Sequence, residues 1–433
     1  MKLLLFLQFI LIPHLFFSQE GWEWTVLDTM PKATSNNAVC AARVGNNRYV
    51  YSFTGIDTSK LYSGIHLHTY KYYVNNNTWE TLADVPDTLG KIAAGASYVN
   101  DRIYVIGGYH VLQNGTEVSS NKVHVFNAAT DTWEADANPL PIPIDDHVQA
   151  VWRDSLIYVV TGWSNTGNVP NVQLFNPLLN SWTLATEVPN SNTFRSFGAS
   201  GYILGDTIYY HGGVSGISNF VARRYFRKGV INPNNPTEIS WTLEDDAPGE
   251  AGYRSACAGT QNTIFWVGGA SVGYNYDGVA YNGTGGVDPE SRILMYNTET
   301  STFTNFTNAP FEVMDLRGIA SIGGGSWIIA GGMDTSQTVS NRTFLLFNEA
   351  LSNINEITQP PFFEVSVEGN QFLVRTEFAG EVSVYDIQGS LLFEKRKLLA
   401  DLKIDKAYLK ANMLIFIFND GSNVPVFQKI VVP

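Results

Sequence analysis

The sequence predicts an all-β protein: a six-bladed β-propeller over residues 20–355, a linker at 356–361 and a small antiparallel β-sandwich at 362–433. Three observations carry this reading. The 433-residue chain is 13% aromatic with 38 glycines, and its short Val/Ile/Tyr/Phe runs are broken by Asn, Asp, Gly and Pro, a composition of strands and turns. An apolar strand ending in glycine recurs six times, at a period of about 50 residues. After Asn355 the repeat stops and strict period-two alternation takes over.

The chain opens with MKLLLFLQFILIPHLFFSQ, in which Lys2 precedes an apolar stretch that ends at the small Ser18. This layout predicts a signal peptide at 1–19, cleaved near Ser18 or Gln19 and too short in its apolar run for a membrane span. No transmembrane segment is expected in the mature chain. A formal net charge of -13 argues against non-specific binding to nucleic acid. With only Cys40 and Cys257, export produces no disulfide scaffold, and both are expected as buried free thiols on equivalent innermost strands.

The six strands are VYSFTG to Gly55, IYVIGG to Gly108, IYVVTG to Gly162, IYYHGG to Gly213, IFWVGG to Gly269 and WIIAGG to Gly332. A second strand follows most of them, as in VHVFN, VQLFN and ILMYN, and then an aromatic heads a third: Trp79, Trp133, Trp182, Trp241 and Phe303. Proline lies seven positions later at Pro86, Pro189, Pro248 and Pro310, and Pro139 and Pro141 bracket the spot after Trp133. The sixth copy has no such segment after Phe347. Trp24 and Pro31, with the same seven-residue spacing, supply it from the other end of the chain. A ring hides its sheet edges when one blade takes strands from both termini, so the N-terminal strand is expected to complete the sixth blade.

The Gly-Gly after the second strand and the aromatic-headed outer strand resemble the Kelch repeat over roughly residues 22–350. The resemblance implies a Kelch-type β-propeller. The glycines are expected to turn tightly where a Cβ would clash, and the third-strand Trp residues to pack between adjacent blades.

Beyond Gln359-Pro360-Pro361 the chain reads FFEVSVEG, QFLVRTEF, EVSVYDIQG, LIFIFNDG and FQKIVV. The order VYDIQGSLL, LKID, a Leu-rich turn, LIFIFNDG and a terminal QKIVV is similar to the C-terminal sorting domain of the type IX secretion system of Bacteroidetes, with Asn412 and Leu414 where that family has Gly and Tyr. The similarity implies export through the periplasm to the cell surface or medium, with the secretion machinery as a partner.

In an up-and-down blade, the loop leading into the innermost strand and the loop leaving the second strand lie on one face. Aligning the innermost strands places Asn37, Lys91, His147, Arg195, Arg254 and Arg317 at corresponding positions, five of which can carry positive charge. Such a ring would hold a carboxylate, so an acidic glycan is expected at a cation-ringed central mouth. Tyr109, His110 and Trp163 follow the strand-ending glycines, and Tyr274, Tyr276 and Tyr281 stand on the long fifth-blade loop, as stacking faces for sugar rings. Asp146, beside Asp145, and Glu250 are the candidate catalytic carboxylates.

Asp277, Asp288 and Glu290 lack regular calcium-loop spacing, and His66 and His68 share a strand face without a third ligand, so no metal is expected. No P-loop, dinucleotide fingerprint or nucleophile elbow is present, and no cofactor is expected. The residues leave three functions open: a lectin-like binder of acidic carbohydrate, a carbohydrate-active enzyme such as a sialic-acid mutarotase or epimerase, for which the Kelch resemblance offers a precedent, and a protein-interaction scaffold.

Overall fold

The computed structural model describes residues 16–19, 21–45, 47–216, 220–352, 363–376, 380–386, 390–397, 401–409, 411, 413–419 and 426–431. Innermost strands are built from small residues, as in AVCAARV and IAAGASYV, because six strands crowd one axis. Second strands are long-chain and apolar, as in Arg102–Val111 and Thr207–Ser215, and are buried almost throughout between neighbouring sheets.

Among the described residues the first unit holds six antiparallel sheets of four or five strands and two small two-stranded ones, Trp163–Ser164 with Gly167–Asn168 and Met333–Asp334 with Thr338–Val339. The first runs Ala38–Val44, Asn47–Ile56, Ile65–Tyr73, Thr78–Leu82, and the second Ile92–Val99, Arg102–Val111, Val123–Asn127, Thr132–Trp133. The third and fourth begin at Val148–Trp152 and Phe197–Leu204, the fifth at Ala256–Thr260. The sixth combines Ala320–Gly323, Ser326–Ala330 and Thr343–Asn348 with Trp22–Val26, whose Trp24 lies opposite Leu346. The N-terminal strand thus stands where the sixth repeat lacked its third strand.

The prolines mark a repeating hydrogen bond. The residue before each, Met30, Val85, Leu140, Val188, Ala247 or Ala309, is buried and donates its N–H to the segment leading into the second or third strand of its own sheet, at Asn341, Leu67, Asn121, Pro170, Arg224 or Ser291. Outer tryptophans stitch each sheet to the one before. Trp79, Trp133, Trp182 and Trp241 donate their indole N–H to the carbonyls of Asp28, Ala83, Asn138 and Thr186, at 2.8–3.1 Å. Trp24 is packed against Phe311 and Phe344 with its indole nitrogen unpartnered.

The glycine pairs act between sheets. Gly212 has a φ of +75°, and a Cβ there would strike the Gly252 carbonyl of the next sheet. Its neighbour Gly213 donates its N–H to that same carbonyl at 2.6 Å.

The chain separates into compact units Met1–Ser352 and Asn353–Pro433. In the second unit, Phe363–Glu368, Gln371–Thr376 and Leu402–Asp405 form one sheet. Leu391–Lys397, Gly380–Asp386, Met413–Asn419 and Val426–Val431 form the other, and Phe372, Val374, Val382, Phe416 and Phe418 fill the core between them. The expected linker at 356–361 and Asn412 lie outside the described residues, as do residues 1–15 of the expected signal peptide. Its last four described residues, Phe16–Gln19, pair with Trp22–Val26. Among the described residues no helix is long and apolar enough to cross a membrane.

Candidate functional site

Six backbone hydrogen bonds encircle the propeller axis. Ala93 N–H donates to Asn36, Asp146 to Ala93, Gly198 to Asp146, Arg254 to Gly198, Leu316 to Arg254 and Asn36 to Asp315, returning the ring to its start at 2.8–3.4 Å. The corresponding residues, Asn36, Ala93, Asp146, Gly198, Arg254 and Asp315, all have φ between 48° and 64°. That left-handed backbone aims each N–H at the preceding sheet and is strained for all but the glycine.

This ring corrects the alignment drawn from sequence. Of the six positions expected, only Arg254 is a ring residue, and the expected belt of cations does not form. Arg254 is fully buried and binds Asp146 through Nε and Nη2, at 3.1 and 2.5 Å, and Asp315 through Nη1 at 2.9 Å. Arg317 lies on the channel side, 3.5 Å from Asp146 and donating to the His147 carbonyl at 2.7 Å.

Lys91 is buried away from the mouth, 2.9 Å from Asp87, which also takes Lys122 and His124. His147 is buried against Gln149, and burial, then Arg317, lower its pKa to about 4, leaving it neutral. Asn37 bonds Ser52 and the Ala330 carbonyl. Of the expected lysine and arginines, Arg195 alone has no carboxylate partner among the described residues. It is half-buried and reaches the Asn168 carbonyl and the Asn192 side chain.

Above the ring, on the loop face, the second to fifth sheets converge on a recess of ≈ 60 Å³. Its walls are Tyr109, Trp163, Phe197, Phe220 and Tyr281, and its polar lining is Glu117, Asp145, Asp146 and Arg254. The rings meet edge to face: Trp163 is 5.3 Å from Phe197 and 5.4 Å from Phe220, which is 5.0 Å from Tyr281. Asp145 is 3% exposed and accepts the Ser119 hydroxyl at 2.6 Å. Burial, reinforced by the adjacent Asp146, pushes its carboxyl well above the ordinary range. Burial also raises Glu117, which stands at the rim beside Asn275.

Of the residues expected to bind ligand, the recess brings together Tyr109, Trp163 and Arg254. Tyr276 instead packs against the cluster of Ile56, Ile92 and Val111. Glu250 is exposed and contributes its carbonyl to Arg292, while Asp146 is held by two guanidiniums, so neither stands as a free base. Sequence reasoning missed Glu117, Phe197 and Phe220. Glu117 and Phe220 lie on the loops leaving second strands, and that placement was the available signal.

Below the ring a channel of ≈ 340 Å³ runs between innermost strands and is lined by Ser97, Gln149, Ser200, Cys257 and Arg317 among others. Cys40 is buried and Cys257 half-buried along it, both free, and burial raises both thiols. His66 and His68 stack with ring centres 4.5 Å apart, and His68 meets Asp84 at 3.2 Å. Asp277 and Asp288 accept the backbone N–H groups of Val279 and Ser336, and no group of three metal-ligating side chains is present among the described residues.

Residues 93–139 match the Kelch motif. Kelch-like protein terF of Aspergillus terreus (strain NIH 2624 / FGSC A1156) is 25% identical over 186 residues, which cover 39% of this chain and 38% of that protein. Kelch-like protein 36 of Rattus norvegicus is 23% identical over 168 residues, 39% of this chain and 25% of that protein. The chain therefore spans well under half the length of these curated relatives. The solved structure of YjhT superposes with a TM-score of 0.59 at 15% identity, over 81% of this chain and 99% of that one, a likeness of fold. The matched motif, the relatives and the solved structure together support a Kelch-repeat β-propeller.

Proposed function

We propose that this is an exported propeller that binds a carbohydrate at the aromatic recess on its loop face. The observation that carries the reading is the convergence of four sheets on one pocket with five aromatic walls and a buried, incompletely bonded carboxyl. Aromatic faces stack on sugar rings, and a few fixed polar groups set orientation. The acidic glycan expected from sequence would meet Arg195 as its one uncommitted cation, since Arg254, Arg317 and Lys91 already face carboxylates. A neutral or basic sugar suits this lining better. An enzymatic variant of the reading would use Asp145, whose raised carboxyl can hold and release a proton beside the recess, in place of Asp146 or Glu250.

Export rests on residues 1–19 as a signal peptide and 362–433 as the address for type IX machinery, leaving the protein at the cell surface or in the medium. A second reading, a scaffold for a protein partner, is favoured by the internal pairing of Arg254 with Asp146 and Asp315 and by the protein-binding habit of Kelch proteins. A thermal-shift panel of soluble neutral, amino and acidic sugars, run on the full chain and on Trp163→Ala, separates the two. Stabilisation by one class, lost in the variant, is expected. A folded chain that responds to no sugar would transfer the case to the scaffold.

A further inference from the structure

The recess is small. At ≈ 60 Å³ it admits a methylammonium-sized tip and falls well short of the roughly 150 Å³ of a cavity that takes up a six-membered ring. A ligand inserts one substituent here and rests its body on the rim.

Its lining is selective. Asp145 is 97% removed from solvent, one carboxylate oxygen takes the Ser119 hydroxyl, and the other has no partner among the described residues. Tyr109 is 3% exposed, and its hydroxyl also makes no hydrogen bond among the described residues. Neither atom is among the sealed, partnerless polar atoms of the described residues, so both open on the recess, where an incoming donor can take the place of solvent.

The charge balance gives the sign of that occupant. Asp145, Asp146, Asp315 and Glu117 face Arg254 and Arg317 around the ring and recess, and both guanidiniums are already engaged by Asp146 and Asp315. No cation pairs directly with Asp145 among the described residues, and the pull of Arg254 is outweighed by burial and the adjacent Asp146, which together disfavour its anion. The aromatic lining of Tyr109, Trp163, Phe220 and Tyr281 adds no positive charge, and aromatic walls are a setting in which cations are bound.

We propose that the recess is a primary-ammonium site, taking the –NH₃⁺ group of an amine-bearing ligand against Asp145 and Tyr109 inside an aromatic wall. The inference rests on the recess being the ligand site and names the chemistry that site selects. An amino sugar and a lysine-like alkylamine carry this group equally, and the test distinguishes them.

Calorimetric titration of the full chain at constant ionic strength would use methylammonium as the minimal probe and glucosamine and N-acetyl-lysine amide as the two sources. Acetate and N-acetylglucosamine serve as anionic and neutral controls. Methylammonium and at least one source bind with release of the Asp145 proton to solvent, which ionises the carboxyl against the ammonium; the controls do not bind, and Asp145→Asn weakens binding by about tenfold or more, the loss of that charge-assisted contact. Tyr109→Phe gives a smaller loss and stands in should the first variant misfold. Binding of N-acetylglucosamine that depends on Trp163, without amine binding, would overturn the ammonium site and leave the recess as a ligand site. No binding by any probe to the folded chain would overturn both.

Discussion

Arg254 holds two buried carboxylates at the propeller axis, and its removal strands both. Arg254→Ala is expected to destabilise the fold by about 3–5 kcal/mol in urea unfolding, the range for breaking a buried ion pair. A loss under about 1 kcal/mol would mean that the pairing is dispensable. Asp145 gives the opposite sign. Its carboxyl is held protonated to higher pH in the folded chain than in the unfolded one, so the folded state binds the extra proton and stability falls as pH rises from the ordinary carboxylate range through the raised value. Asp145→Asn should flatten that slope and raise stability at neutral pH. An unchanged pH profile would show that the carboxyl is already compensated.

Sequence reading singled out Arg254 and the Asp145-Asp146 pair but set their neighbours one to three residues off the ring, at Asn37, Lys91, His147, Arg195 and Arg317. The reason is physical. The ring position is fixed by a left-handed backbone and a main-chain hydrogen bond, which Asn, Ala, Asp, Gly and Arg all fill here, so no side-chain signature marks it.

At the level of elements, strands were legible because their apolar runs, glycines and prolines answer to hydrogen bonds that recur in every sheet. The outer tryptophans were legible as packing residues. Their indole bonds to the preceding sheet were not, since the accepting carbonyls lie in loops of differing sequence at Ala83, Asn138 and Thr186. Trp182→Phe keeps a ring packed at a tilt against Phe175 and deletes only the bond to Asn138. It should cost about 1 kcal/mol by chemical denaturation, the net worth of one such bond. A neutral substitution would assign the tryptophan to packing alone.

For the molecule as a whole, six repeats made the propeller readable, and period-two alternation made the sandwich readable as a separate unit. The ligand site was less legible because it depends on which loops meet above the ring. Phe197 and Phe220 become neighbours, 5.4 Å apart, only once the fourth sheet is folded. The export reading is tested by expression in a bacterium with type IX secretion. Deleting 362–433 should retain the propeller in the periplasm, whereas secretion of the truncated chain would make the sandwich a structural module.

Binding is expected in the aromatic recess and not at a rim of cations. A glycan array probed in parallel with the full chain, Trp163→Ala and Arg195→Ala tests it most directly. Binding should survive Arg195→Ala and disappear in Trp163→Ala. Binding to acidic glycans that is lost in Arg195→Ala and kept in Trp163→Ala would contradict it.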